Sequence, residues 1–127
     1  MSAIHLTPPN RSQASGRHYK STSAYEEKAL VRTGAGVVNQ IYVRNKNATK
    51  RYLWVYDGIS TAGTQLLPPL PIPATDGYAS FDSMYGLPFA TGLYFAVSTT
   101  DATYTATTTD DINISISYSV DSTTALP

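Results

Sequence analysis

The side chains able to do chemistry in this 127-residue chain are few, and their placement does not suit catalysis. Both histidines, His5 and His18, fall in a polar N-terminal stretch, where a general base would lack the orienting partner and fixed site that proton transfer needs. There is no cysteine, which excludes thiol nucleophiles, thiolate metal sites and disulfides. No Gly-x-Ser-x-Gly, phosphate-loop, dinucleotide-binding or His-Glu-x-x-His spacing occurs. Asp110-Asp111, with Asp101 and Asn113 nearby, could offer oxygen ligands to a cation. Their spacing lacks the alternating ligands, central glycine and closing glutamate of a calcium loop, so solvated turn aspartates are expected. Asp57 and Asp76 precede glycines, where side-chain-to-backbone bonding accounts for them. The expectation is therefore no enzyme, with no catalytic residue, metal or cofactor.

Binding chemistry is better represented. The aromatic residues are mostly tyrosine, ten of them beside three Phe and one Trp. Tyr52, Trp54 and Tyr56 alternate along one predicted strand and share a face. Flat rings with polar tips can stack on sugars, which makes the trio a glycan candidate. A covered sheet face or a subunit interface explains the same trio more simply. The basic residues suggest a second kind of contact. All nine lie at or before Arg51, opposed there only by Glu26 and Glu27, a net of +7. The rest of the chain holds seven Asp and no base, a net of −7. Such asymmetry points to association through charge complementarity. The bases are too dispersed, and too rarely interleaved with aromatics, to expect a nucleic-acid partner.

These residues must be positioned by two kinds of chain. Within residues 1–25, Ile4, Leu6 and Tyr19 are isolated among Ser, Pro, Gln, Asn and Arg. The segment is expected to form an extended arm ordered only against a partner, with Arg11, Arg17, His18, Tyr19 and Lys20 as its contact residues. Residues 26–121 turn to short β-patterns, and 122–127 read as a tail. In Ile112–Val120 five apolar residues alternate strictly with Asn and Ser, the signature of a half-buried strand. Val37–Arg44 is expected to put Val37, Ile41 and Val43 on one face and Val38 and Tyr42 on the other. Arg51–Tyr56 places Leu53 and Val55 opposite the aromatic trio, and Leu93, Phe95 and Val97 point inward together. Weaker strands are expected at Ala29–Thr33, Gln65–Leu67, Tyr78–Met84 and Tyr104–Thr108.

Asn45-Lys46-Asn47-Ala48 reads as a hairpin turn, in which Asn can take the left-handed conformation. Four prolines between Leu67 and Pro73 confine that stretch to an edge or a crossover. Seven or eight such strands predict an all-β fold, an antiparallel β-sandwich of jelly-roll type with an N-terminal arm. Only 14% of residues are charged, against about 25% in an average soluble domain, and Ser and Thr carry the remaining polarity. No apolar run approaches the roughly 20 residues of a membrane helix, so no membrane association is expected. The N-terminus lacks the apolar core of a signal peptide, which suggests a cytoplasmic product.

Three segments together resemble a family. Residues 34–58, GAGVVNQIYVRNKNATKRYLWVYDG, are similar to the first hairpin of small β-sandwich proteins found in tailed-phage virions. Phe89–Thr100, FATGLYFAVSTT, looks like their F-x-x-G-L strand, and INISISY resembles their closing strand. The resemblance covers roughly residues 34–120 in the same order. It implies a virion structural protein without catalytic residues, made in the host cytoplasm and assembled on the particle. The leading expectation is a capsid decoration (cement) protein, a homotrimer whose partners are the major capsid protein and neighbouring copies. A neck, baseplate or tail-fibre adaptor is the alternative within the same class, and a glycan-binding module is the alternative outside it.

Overall fold

Residues 16–20 and 25–120 are described by the computed structural model. They form nine strands: β1 (Gly16–Lys20), β2 (Lys28–Thr33), β3 (Gly36–Asn45), β4 (Arg51–Asp57), β5 (Thr64–Gln65), β6 (Leu70–Ile72), β7 (Gly77–Phe89), β8 (Gly92–Ser98) and β9 (Ile112–Ser119). One sheet has the order β1-β9-β3-β7 and the other β2-β8-β4-β5, with β6 also hydrogen-bonded to β4. Every pairing is antiparallel. Strands β1 to β4 switch sheets at every step, as do β7 to β9, which is the strand order of a jelly roll. The sandwich read from the periodicity is the observed fold.

The period-2 pattern of β9 explains why it sits centrally. Ile112, Ile114 and Ile116 have no exposed surface and face the opposite sheet, while Asn113, Ser115 and Ser117 point away. They meet Leu53 and Val55 of β4 and Leu93, Phe95 and Val97 of β8, all fully buried. Each such side chain contributes about 1.5–3 kcal/mol of burial. In β3 the expected facing needs correcting. Val38, not Val37, is fully buried with Ile41 and Val43, because Asn39 is an extra residue against β9 and inverts the alternation beyond it. The same point faces four residues of β7, Ser83 to Gly86, opposite that one asparagine. Gly86 has φ +84°, and a Cβ there would meet Val37 Cγ1 at 2.1 Å, so this bulge requires glycine.

Other expectations shift in the same way. Asn45 to Ala48 does not make a hairpin, because β3 and β4 belong to different sheets and the turn is a crossover. Neither asparagine is left-handed; the positive-φ residues outside glycine are Thr75 and Asp76. Tyr104–Thr108 forms no strand beyond a single bridge from Ala106 to Ser98. The proline-rich stretch does supply an edge strand, β6, as proline chemistry allows. The N-terminal boundary also moves. Gly16–Lys20 pair with Ser115–Ser119 as β1, so this part of the expected arm is an edge strand of the sandwich. Residues 1–15, 21–24 and 121–127, including Arg11 and the tail, lie outside the described residues.

The crossover is tied by buried polar groups. Asn45 is fully buried; its amide nitrogen lies 3.0 Å from the Thr49 carbonyl, 3.3 Å from that of Ile72 and 3.2 Å from that of Pro73. Its carbonyl oxygen accepts from the Asn47 N–H. Asp111, 5% exposed, accepts from Asn47 Nδ2 at 3.1 Å, Arg51 Nε at 3.1 Å and the Thr109 hydroxyl at 2.8 Å. Burial pushes the Asp111 carboxyl up, but these hydrogen bonds and the Arg51 charge outweigh it and hold it below the ordinary value. The contribution is thus complete above the unfolded pKa of about 3.9 and is lost as pH falls through the lower folded value. Asp111→Asn should cost about 3 kcal/mol near neutral pH, read as a lower urea midpoint. The parent's midpoint is expected to fall below about pH 4, and the same variant should flatten that fall.

Candidate functional site

The aromatic row lies on the outer face of the β2-β8-β4-β5 sheet, and the chain closes over it. Trp54 and Tyr56 are only 8% and 4% exposed, and Tyr52 is half-buried. Tyr94 of β8 packs against Tyr56 with ring centroids 6.3 Å apart, and Tyr104 meets Trp54 edge-on at 5.9 Å. Lys50 Nζ sits 5.3 Å from the Tyr52 ring centre. The loop after β8 is held down by buried Ser98, whose hydroxyl accepts from the N–H groups of Thr100 and Thr105 and donates to the Thr100 carbonyl. Trp54 Nε1 donates to that same carbonyl at 3.3 Å. Burial pushes the phenols of Tyr56 and Tyr104 above their ordinary value, with neighbouring Tyr94 adding to it. Trp54 and Tyr56 therefore form a second small core and leave no open ring face for a sugar. Of the two readings of the trio, Trp54 and Tyr56 fit the covered face and not a glycan platform, and Tyr52 is half-buried beside them.

The proposed arm residues are dispersed by β1. Tyr19 faces the interior, edge-on to Phe95 at 5.9 Å, and its hydroxyl donates to Glu26 at 2.6 Å. Burial and that hydrogen bond push the Tyr19 phenol up. It is a packing residue of the sandwich. Arg17 is exposed, opposite Tyr118 in register, and His18 and Lys20 pair in register with Ser117 and Ser115. The register Gly16↔Ser119 has a further consequence: the chain enters β1 and leaves β9 at the same end of the sandwich.

Antiparallel pairing also folds the two charge halves onto each other. Arg51 is bonded to Asp111 across 60 residues of sequence, and Arg44, which donates to the Tyr25 hydroxyl, lies opposite Asn113. Lys46 Nζ stands 4.6 Å from the Tyr25 ring centre, and its backbone N–H donates to the Asp111 carbonyl. The sequence-level split of +7 and −7 is thus mixed in space at the crossover end.

One surface escaped the sequence reading. The outer face of the β1-β9-β3-β7 sheet carries Gln40, Tyr42 and Arg44 on β3, set in register against Asp82, Ser80 and Tyr78 on β7. On the other side the same three residues meet Ser117, Ser115 and Asn113 of β9. Tyr42 and Tyr78 are 43% and 63% exposed, with ring centroids 5.7 Å apart and planes inclined by 31°. The sequence placed Tyr42 on the face opposite Ile41 and Val43; its partner, 36 residues on, becomes its neighbour only through the β3–β7 register.

A shallow open groove of about 360 Å³ lies at the β5–β6 connection, lined by Gln65, Leu66, Leu67, Pro68 and Pro69. No ionisable or strongly nucleophilic side chain lines it. Among the described residues, no three His, Asp or Glu side chains gather where they could hold a metal ion. No family model, curated protein or solved structure matches the chain.

The closure of the aromatic row is testable through the single tryptophan. Ser98→Ala removes the acceptor that pins the loop and should cost about 1–3 kcal/mol. Trp54 emission should shift to the red and become more easily quenched by acrylamide. Unaltered quenching would mean that ring contacts alone hold the row closed.

Proposed function

We propose that the protein is a structural component of a tailed-phage virion, a decoration protein bound to the outer capsid surface. The observation that carries this reading is the shared end of the sandwich where the chain enters at Gly16 and leaves past Ser119. Segments attached there can hold the particle while the opposite end projects away from it. The fifteen residues before β1 can span at most about 50 Å when extended, enough to reach a neighbouring subunit. Their composition suits an arm that orders on a partner, and Arg11 and exposed Arg17 would meet an acidic surface. The family resemblance of residues 34–120 supports the same reading. A jelly roll is a fold that capsid proteins use, although fold by itself assigns no function. The partners in this reading are the major capsid protein and neighbouring copies in a trimer.

The experiment is co-sedimentation of the full-length protein with purified empty capsids of the producing phage, at rising salt. Binding should saturate and weaken as salt screens the arm contacts. Removal of residues 1–15 should abolish it; the deletion must stop there, because β1 belongs to the sandwich. Binding to tails and not to heads would replace this reading with the neck, baseplate or tail-fibre adaptor.

A further inference from the structure

We infer that the free edge of β7 between Gly77 and Asp82 pairs with the same edge of a second copy of this chain, about a two-fold axis at Ser80. The inference is independent of the virion reading and needs no capsid. It starts from the direction of the backbone groups. The Lys46 N–H donates to the Asp111 carbonyl, and the Ile112 N–H turns away from β3 to the Glu26 carbonyl. Alternation along β3 then aims the backbone of Tyr42 and Arg44 at β9, and that of Ile41, Val43 and Asn45 at β7. Their register partners Phe81, Ala79 and Gly77 exchange bonds with β3. Tyr78, Ser80 and Asp82 therefore turn their N–H and C=O groups outward, and among the described residues no strand pairs with that edge.

An open edge is a template for another strand unless it is blunted, and the other edges of this sandwich are blunted. β1 carries Arg17 and Lys20, and β2 carries Lys28, Arg32 and a register shift. β5 and β6 are two and three residues long, with Pro71 in β6. β7 runs for thirteen residues. Its second half is interrupted by the Ser83–Gly86 bulge and by Pro88, whereas Gly77–Asp82 holds no lysine, arginine, proline or irregularity.

The occupant follows from the symmetry of that segment. The bulge at one end and left-handed Asp76 at the other confine regular pairing to a stretch whose middle outward residue is Ser80. An antiparallel copy centred there sets Ser80 against Ser80, and Tyr78 against Asp82 of the second copy. Each of these residues then donates and accepts across the axis, as in any antiparallel ladder. Asp82, the segment's single charge, meets a phenol able to donate to it. The two Asp82 residues stand roughly 14 Å apart along the strands, so like charges do not face each other. Tyr78, Ser80 and Asp82 are exposed, and Ala79 and Phe81 are half-buried beside the core. The same register covers the remaining surface of Phe81 with Ala79 of the second copy and joins two four-stranded sheets into one. A closed two-fold pair leaves the trimer proposed above to a different surface.

The test is sedimentation velocity on full-length protein from about 5 to 500 µM, which reveals a dissociation constant in the micromolar range. The mass is expected to double as concentration rises. Ser80→Pro removes only an outward N–H and keeps the ladder to β3, so it should weaken the doubling about tenfold or more. Unchanged Trp54 emission checks that the variant is folded. Ser80→Cys is the second arm, in a chain without other cysteines. Facing residues of a hydrogen-bonded pair have Cα atoms about 5.5 Å apart, within disulfide reach. Mild oxidation should therefore link two copies of this variant at least tenfold faster than copies of Ser60→Cys, placed in an exposed loop. If Ser80→Pro fails to fold, the Ser80→Cys comparison decides alone. A mass that never doubles overturns the inference, as does doubling that folded Ser80→Pro leaves intact, or linking no faster than Ser60→Cys. Doubling that is lost on removal of residues 1–15, with Ser80→Cys unlinked, would give the edge to that segment and overturn the inference equally.

Discussion

The contact between the isoleucine row of β9 and the inner residues of β4 and β8 is the constraint from which the rest follows. Ile112, Ile114 and Ile116 can be buried only if every second residue of β9 faces out, and β9 lies between β1 and β3. Its facing is therefore imposed on both neighbours through the hydrogen-bond register. Tyr19 opposite Ile116 must point inward, and Tyr42 opposite Ser115 must point outward. A one-residue slip would bury the serines and expose the isoleucines, at a cost of several side chains' burial at about 1.5–3 kcal/mol each.

The two outer faces then diverge in use although both are rich in tyrosine. On one sheet the chain between β8 and β9 returns over the surface, and Ser98 fastens it so that Trp54 and Tyr56 become interior. On the other sheet no described segment crosses Tyr42 and Tyr78, which stay exposed. Whether a tyrosine row is core or surface thus depends on a loop anchored by the Ser98 hydroxyl, the Ser98–Ala106 bridge and the Trp54 indole, a feature that ring count and alternation do not reveal. Strand facing alone left the Tyr52–Trp54–Tyr56 row open to two uses, a covered face or a glycan platform, and the loop covers Trp54 and Tyr56.

The crossover between β3 and β4 does comparable work for charge. Asp111 lies 60 residues after Arg51, yet the approach of β9 to β3 sets the carboxylate beside the guanidinium, Asn47 and Thr109. Part of the acidic half is spent internally on part of the basic half. The charge left for partners is smaller and more mixed than a net of +7 and −7 along the chain suggests.

Periodicity by itself determined the class of fold and the facing of β4, β8 and β9, and proline chemistry kept the proline-rich stretch to an edge or a crossover, because both act within a few residues. Only the tertiary structure decided which strands share a sheet. The Asn45–Ala48 turn looks like a hairpin from its residues, yet it changes layers because β3 finds better partners in β7 and β9. It likewise decided that Gly16–Lys20 belong to the sandwich, since a five-residue polar strand holds its place through ladder bonds to β9 and one Tyr19 anchor. The Asn39 bulge and the Tyr42–Tyr78 pair share that origin. Each depends on a register between segments distant in sequence, set by the burial of the whole interlayer core and not by the residues that display it.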